Sequence, residues 1–203
     1  SRTTYEKVVS EYQGQYNNSI ALIYFNGKMK ELTKRVDKDG VVSFITTKDP
    51  AGHATYVRTA QMMLVKAARD ILGSANKQVR IKIEFSLDNA CFCSVLGGIR
   101  VNTELARKIE ERMMEIAEKN IPIIKKNYPI DDAIELFKRQ DMKDKEKLFH
   151  FRRSSTINVY SLEGYYDYFY GFMKPATGYV RLFKVRAYEG GLLLILPRIE
   201  APD

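Results

Sequence analysis

Histidine and cysteine are scarce in this chain, two of each among 203 residues, and their scarcity removes whole classes of chemistry. With only His53 and His150 to supply an imidazole, a Ser–His–Asp triad has little to draw on, and the two do not stand at metal-ligand spacing. Cys91 and Cys93 are two residues apart and have no C-x-x-C partner, so a zinc site is not expected. In a strand their side chains would share a face with Cα atoms about 6.6 Å apart, where a bond between them would be strained. Two thiols without a disulfide framework fit a reducing cytoplasm. No G-x-x-x-x-G-K-[ST] loop and no G-x-G-x-x-G occurs, and Gly97-Gly98 lacks the Lys-Ser/Thr that phosphate binding would need. No apolar run approaches the ~20 residues of a membrane span. Repeats, low-complexity tracts and a signal peptide are also missing, and the first residue, Ser1, suggests a trimmed start. Read from its residues alone, the chain shows no recognisable catalytic centre, and neither a metal site nor a cofactor site is expected in it.

What is present is a core-forming composition on a basic background. Hydrophobic residues make up 45% of the chain, enough for one large domain or two small ones. A net charge of +8 permits an acidic partner such as RNA, a nucleotide or a phosphorylated ligand without requiring one.

The patterning predicts an α+β fold with antiparallel sheet. Residues 4–12 read as a short helix, 20–25 as a strand, Asn26-Gly27 as a hairpin turn and 28–32 as the returning strand, with a β-branched strand at 41–46 after Asp39-Gly40. Apolar residues at 57, 60, 63, 64, 67, 68, 71 and 72 form one face of a helix over 54–72. Strands are expected near 79–85 and 90–96, a helix capped by Asn102 or Thr103 over 103–119, a strand at 121–126 and a helix opened by Pro129. Residues 138–153 read as a solvated basic face, with Lys138, Arg139, Lys143, Lys145, Lys147, Arg152 and Arg153 diluted by Asp141, Asp144 and Glu146. Strands near 156–160, 164–170, 179–188 and 191–196 follow.

Within the late part lies the most informative stretch, Glu163–Lys184, EGYYDYFYGFMKPATGYVRLFK. Its frame of Asp167, Gly171, Pro175, Thr177, Gly178, Phe183 and Lys184 resembles a segment of threonyl-tRNA synthetases that runs acid-Leu-Cys-Arg-Gly-Pro-His, a Pro-(Ser/Thr)-Thr-Gly turn and a Phe-Lys strand. Lys48-Asp49-Pro50-Ala51-Gly52 and the helix after it are similar to the Asp-x-x-Gly turn and His-x-x-x-His helix of the same family. The order of elements divides the chain into residues 1–48, similar to a TGS (β-grasp) module whose first hairpin is missing, and residues 49–203, similar to the second additional, editing-type domain. The family's two His on the helix, four apart and on one face, correspond to Arg58 and Met62, and its Cys and His to Phe169 and Met173. A guanidinium, two thioethers and a phenyl ring cannot bind metal or move protons as imidazole and thiolate do. The resemblance therefore implies an editing-type domain without its editing chemistry.

Three candidate roles are open. Residues Tyr165–Tyr179 are also very similar to a late motif in the threonyl-tRNA synthetase-like front end of uridine kinase-type nucleoside kinases. This chain would then be a non-catalytic, ligand-binding or regulatory region partnered by its own C-terminal kinase domain, with ATP and Mg²⁺ bound in that later domain. The alternative is the tRNA-binding, non-editing N-terminal region of a threonyl-tRNA synthetase; a free-standing RNA-binding module is a third. In each case the expected cleft involves Arg58, Lys145, Tyr166, Asp167, Tyr168 and Tyr170. Tyrosine faces at 165, 166, 168 and 170 would stack a base or sugar, unless they line a half-buried strand. Lys145 falls where the family has a pocket lysine, although in isolation it is one lysine of a solvated run. Arg58, on an otherwise apolar helix, needs an anion if it is buried, with Asp167 or a nucleotide-like ligand's phosphate as candidates; otherwise it is a surface arginine with its stem packed.

Overall fold

The computed structural model describes residues 3–73, 80–152 and 154–203, so Arg153 of the basic stretch and residue 79 of the expected strand lie outside the described residues. Among them are ten strands in three antiparallel sheets and five α-helices.

The first sheet has the order β2-β1-β3, with β1 Ile20–Phe25, β2 Lys28–Glu31 and β3 Val42–Thr46. Asn26 and Gly27 both take positive φ, 47° and 77°, as a two-residue turn matching the strand twist requires. Helix α1, Tyr5–Tyr12, lays Tyr5 and Val9 on Ile20, Ile23, Phe25 and Leu32, giving this unit its own small core.

Helix α2, Pro50–Leu72, begins four residues earlier than its apolar face suggests, because Pro50 supplies a preset φ at the first helical position. The Asp49 carboxylate does not cap it. It turns back to accept from the Thr46 backbone N–H at 2.7 Å and the Thr46 hydroxyl at 3.0 Å. Gly52 sits directly against the Thr46 carbonyl, where a Cβ would overlap it, so the glycine of this turn permits helix–strand contact. Helix α2 and helix α3, Thr103–Glu118, cover one face of a sheet of order β4-β5-β10-β9. Its strands are β4 Arg80–Leu87, β5 Ala90–Leu96, β9 Lys184–Tyr188 and β10 Gly191–Ile195. The main core lies between them, with Met63, Leu64, Ala67, Ile109, Met113, Cys93, Leu192 and Leu194. Cys91 and Cys93 are both buried and free, on the same face as expected. Asn102 caps α3 by accepting the Leu105 N–H at 2.8 Å.

The third sheet, β6 Ile124–Pro129, β7 Thr156–Leu162 and β8 Tyr165–Asp167, is backed by α4 Ile130–Arg139 and α5 Lys143–His150. The stretch expected to be a solvated basic face is thus partly helical. Phe149 of α5 is buried and stacks on Phe137 of α4 at 5.5 Å. The expected strand at 121–126 is displaced to 124–129, because Ile121 and Ile123 are taken up by backbone bonds to Thr177 and Pro175. The expected strand at 164–170 stops at Asp167, whose own carboxylate accepts the next backbone N–H, that of Tyr168, at 2.7 Å. From there the chain runs as a strap over the domain, and the expected strand at 179–188 begins only at Lys184. Among the described residues no helix is long and apolar enough to cross a membrane.

Candidate functional site

Helix α2 and the strap 168–173 carry the four positions singled out in the sequence. Met62 is fully buried and Met173 is 2% exposed, both within the main core, with Phe169 packed against it. The two thioethers and the phenyl ring therefore act as packing. Among the described residues, no three His, Cys, Asp or Glu side chains gather where they could share an ion.

Arg58 does not pair with Asp167, as the sequence had suggested. Its Nη1 donates to the Phe172 carbonyl at 3.1 Å, and the guanidinium lies flat against Gly171, where any Cβ would overlap it. Gly171 has φ 137°, a conformation that L side chains rarely adopt. Burial pulls the Arg58 pKa down, while the nearby Tyr160 and Glu31 hold it up. The cation that was expected to face the cleft instead holds the strap onto α2.

The partner of Asp167 is Lys145. The Asp167 carboxylate is buried, takes the Lys145 ammonium at 3.2 Å and accepts from the Tyr165 hydroxyl at 2.5 Å. Burial, then the Asp167 charge, pushes the Tyr165 hydroxyl pKa well above its usual value. Lys145 also donates to the Tyr168 carbonyl at 3.1 Å. A lysine that in sequence is one of a polar run is thus brought by α5 onto the strap.

The tyrosines do not form one wall. Tyr165 is buried, Tyr166 packs with the cluster on α4, Tyr168 meets Phe149 edge-on at 5.0 Å, and Tyr170 is 86% exposed. The strap separates two cavities. One, about 410 Å³, is lined by residues of α2, β4 and α5 together with Tyr165 and Asp167–Tyr170; it includes Lys145, Asp167, Tyr168 and Tyr170 of the expected cleft, but not Arg58 or Tyr166. The other, about 550 Å³, lies over the face of β7, with Lys125, Arg152, Asn158 and Tyr160 against Tyr168–Phe172.

Several residues that shape this region have no signature in the sequence. Glu31, at the end of β2, is 2% exposed and accepts from the Tyr160 hydroxyl, the Met173 N–H at 3.0 Å and Lys125 at 3.2 Å. It ties the first sheet to the strap. A carboxylate at a strand end ordinarily reads as solvent-facing, and here the long-range partners decide. Gln140 clamps Tyr166 through both backbone atoms, at 2.7 and 2.8 Å, acting as a neighbouring strand would. Thr59 accepts the Lys174 N–H at 2.9 Å. Thr177, which does belong to the frame read in the sequence, bridges the Ile116 carbonyl at 2.6 Å and the Ile121 N–H at 2.8 Å.

No family model matches the chain. Among curated proteins it is similar to threonine–tRNA ligases. It is 32% identical over 179 residues to that of Petrotoga mobilis, covering 88% of this chain and 27% of the relative. It is 26% identical over 167 residues to that of Syntrophotalea carbinolica, covering 82% and 26%, and 26% identical over 166 residues to that of Thermotoga maritima, covering 81% and 25%. The chain spans about a quarter of the length of these relatives. Its homologues are threonine–tRNA ligases, and what it shares with them over most of its own length is a threonyl-tRNA synthetase-like region of mixed α and β structure.

Proposed function

We propose that this chain is a non-editing, threonyl-tRNA synthetase-like region of a longer cytoplasmic protein, which binds RNA at its acceptor end and does not hydrolyse an aminoacyl ester. The observation that carries the reading is the fate of the four cluster positions. Met62, Phe169 and Met173 fill space, and Arg58 is held on the strap, so no imidazole or thiolate stands where an attacking water would need orienting. The names of the relatives and the basic balance of +8 support RNA as the partner.

A mischarged Ser-tRNA(Thr) tests this directly. The chain should retain the tRNA in a salt-dependent manner and leave the ester intact over the uncatalysed rate. Hydrolysis above background that is lost in Asp167→Asn or Lys145→Ala would overturn the proposal.

A second reading follows from the Tyr165–Tyr179 segment and its resemblance to a late motif of the uridine kinase-type nucleoside kinases. On that reading the region regulates a uridine kinase domain within the same polypeptide. Uridine phosphorylation by the full-length protein, and a G-x-x-x-x-G-K-[ST] loop in the domain that carries it, would select it over the first.

A further inference from the structure

We propose that the 410 Å³ cavity between α2, β4 and α5 is a site for a nucleoside monophosphate, with the phosphate on Arg80 and the base on Tyr170. The proposal rests on the reading of the region as one that binds without hydrolysing, and it names a small ligand for it.

The cavity is within the size range of small-molecule sites. Its lining carries four cations, Arg69, Arg80, Lys82 and Lys145, against two anions, Asp144 and Asp167. Three of the cations are engaged. Lys145 is on Asp167 at 3.2 Å, Lys82 on Glu84 at 2.8 Å, and Arg69 donates to the Gln140 carbonyl at 3.0 Å while lying over the Tyr165 ring at 5.4 Å. Arg80 differs from them. Among the described residues it makes no ion pair, and its Nε is buried with no acceptor. A buried N–H without an acceptor carries a desolvation cost. An anion entering the cavity would remove that cost and meet a planar fork suited to a phosphate.

Part of the lining is aromatic. Tyr168, Phe169 and Tyr170 form the strap side of the cavity, and the Tyr170 ring is 86% exposed. An exposed ring and an unpaired guanidinium lining one cavity suit a ligand that is planar at one end and anionic at the other. A bare phosphate would leave the ring unused, and an uncharged nucleoside would leave Arg80 unanswered.

The chain has 13 tyrosines and no tryptophan, so tyrosine emission can report on the strap. The test is calorimetric and fluorescence titration with AMP, UMP, the two uncharged nucleosides and inorganic phosphate. The monophosphates should bind, and removal of either the phosphate or the base should weaken binding by about tenfold or more. Arg80→Gln should weaken AMP and UMP by about tenfold and leave the nucleosides unchanged. Tyr170→Ala should weaken monophosphates and nucleosides alike while leaving inorganic phosphate unchanged. Circular dichroism of each variant checks that its fold is intact. An absence of saturable binding by millimolar AMP and UMP, or equal binding by the parent chain and both variants, would overturn the site. Retention of acceptor-end RNA alongside such a failure would sink this site alone. Nucleotide binding of the expected pattern without RNA retention would support the site and remove RNA as the partner.

Discussion

Replacing Glu31 by alanine should cost more stability than its place at the end of a short strand suggests. The carboxylate is 2% exposed and has three donors: the Tyr160 hydroxyl, the Met173 N–H at 3.0 Å and the Lys125 ammonium at 3.2 Å. Removing it leaves the Met173 N–H buried without an acceptor, a cost of about 1–3 kcal/mol. The Tyr160 hydroxyl keeps the Gly171 carbonyl at 3.0 Å, and Lys125, about a fifth exposed, can turn to water, so neither adds the full penalty of a broken buried pair. The expected loss for Glu31→Ala is therefore about 3 kcal/mol, at the low end of the range for one partner of a buried ion pair. For a chain of this length that lowers the melting temperature by roughly 6–12 °C. Glu31→Gln keeps one oxygen for Tyr160 and Met173 but turns an amide NH₂ towards Lys125, and should lose about half as much. Tyr160→Phe keeps the ring packing and loses only the hydroxyl. Because the two groups touch, Glu31→Ala and Tyr160→Phe should be non-additive by about 1 kcal/mol. Urea melts followed by circular dichroism measure the parent, the three single variants and the double variant. If Glu31→Ala unfolds within about 0.5 kcal/mol of the parent, as a surface substitution would, Glu31 does not tie the first sheet to the strap.

Other substitutions test the strap and its neighbours. Gly171→Ala should destabilise by about 2–4 kcal/mol, since it forces a Cβ onto the Arg58 guanidinium at a φ of 137°; Arg58→Ala in the same chain should recover part of the loss, and strict additivity in urea melts would contradict the contact. Thr177→Val strands the Ile116 carbonyl and the Ile121 N–H in the core and should cost about 2–3 kcal/mol by thermal melting. Lys174 is 1% exposed, reaches the Ser19 hydroxyl at 3.3 Å, and burial lowers its pKa to about 8, with Asp203 opposing. Its unfolded pKa lies near 10.4, so between pH 8 and 10 Lys174 binds more protons in the unfolded chain and contributes a rise in stability with pH of about 2–3 kcal/mol, opposed above about pH 9 by the Cys93 thiol, which burial raises to about 12. Above that window tyrosines such as Tyr56, raised to about 12 by burial, ionise more readily unfolded and reverse the trend. Lys174→Met should flatten the rise in pH-dependent urea melts; an unchanged slope would show that another group titrates.

The sequence by itself determined the local elements and their order. Asn26-Gly27, Asn102, Pro129 and the apolar face from Val57 to Leu72 act through the backbone within a few residues, so turns, caps and helix faces can be read without neighbours. The lack of His and Cys at positions 58, 62, 169 and 173 could be read in the same way, because side-chain chemistry travels with residue identity. The tertiary structure decided who pairs with whom. Asp167 meets Lys145 because α5 lies across the strap, and Arg58 meets the Phe172 carbonyl because Gly171 leaves room for it. Glu31 is buried because a loop 142 residues away folds over it. Strand ends failed for the same reason. Asp167 ends β8 with its own carboxylate, and Pro175 and Thr177 claim the backbone of Ile121 and Ile123. Such contacts depend on distance in space, which residue identity and spacing along the chain do not encode.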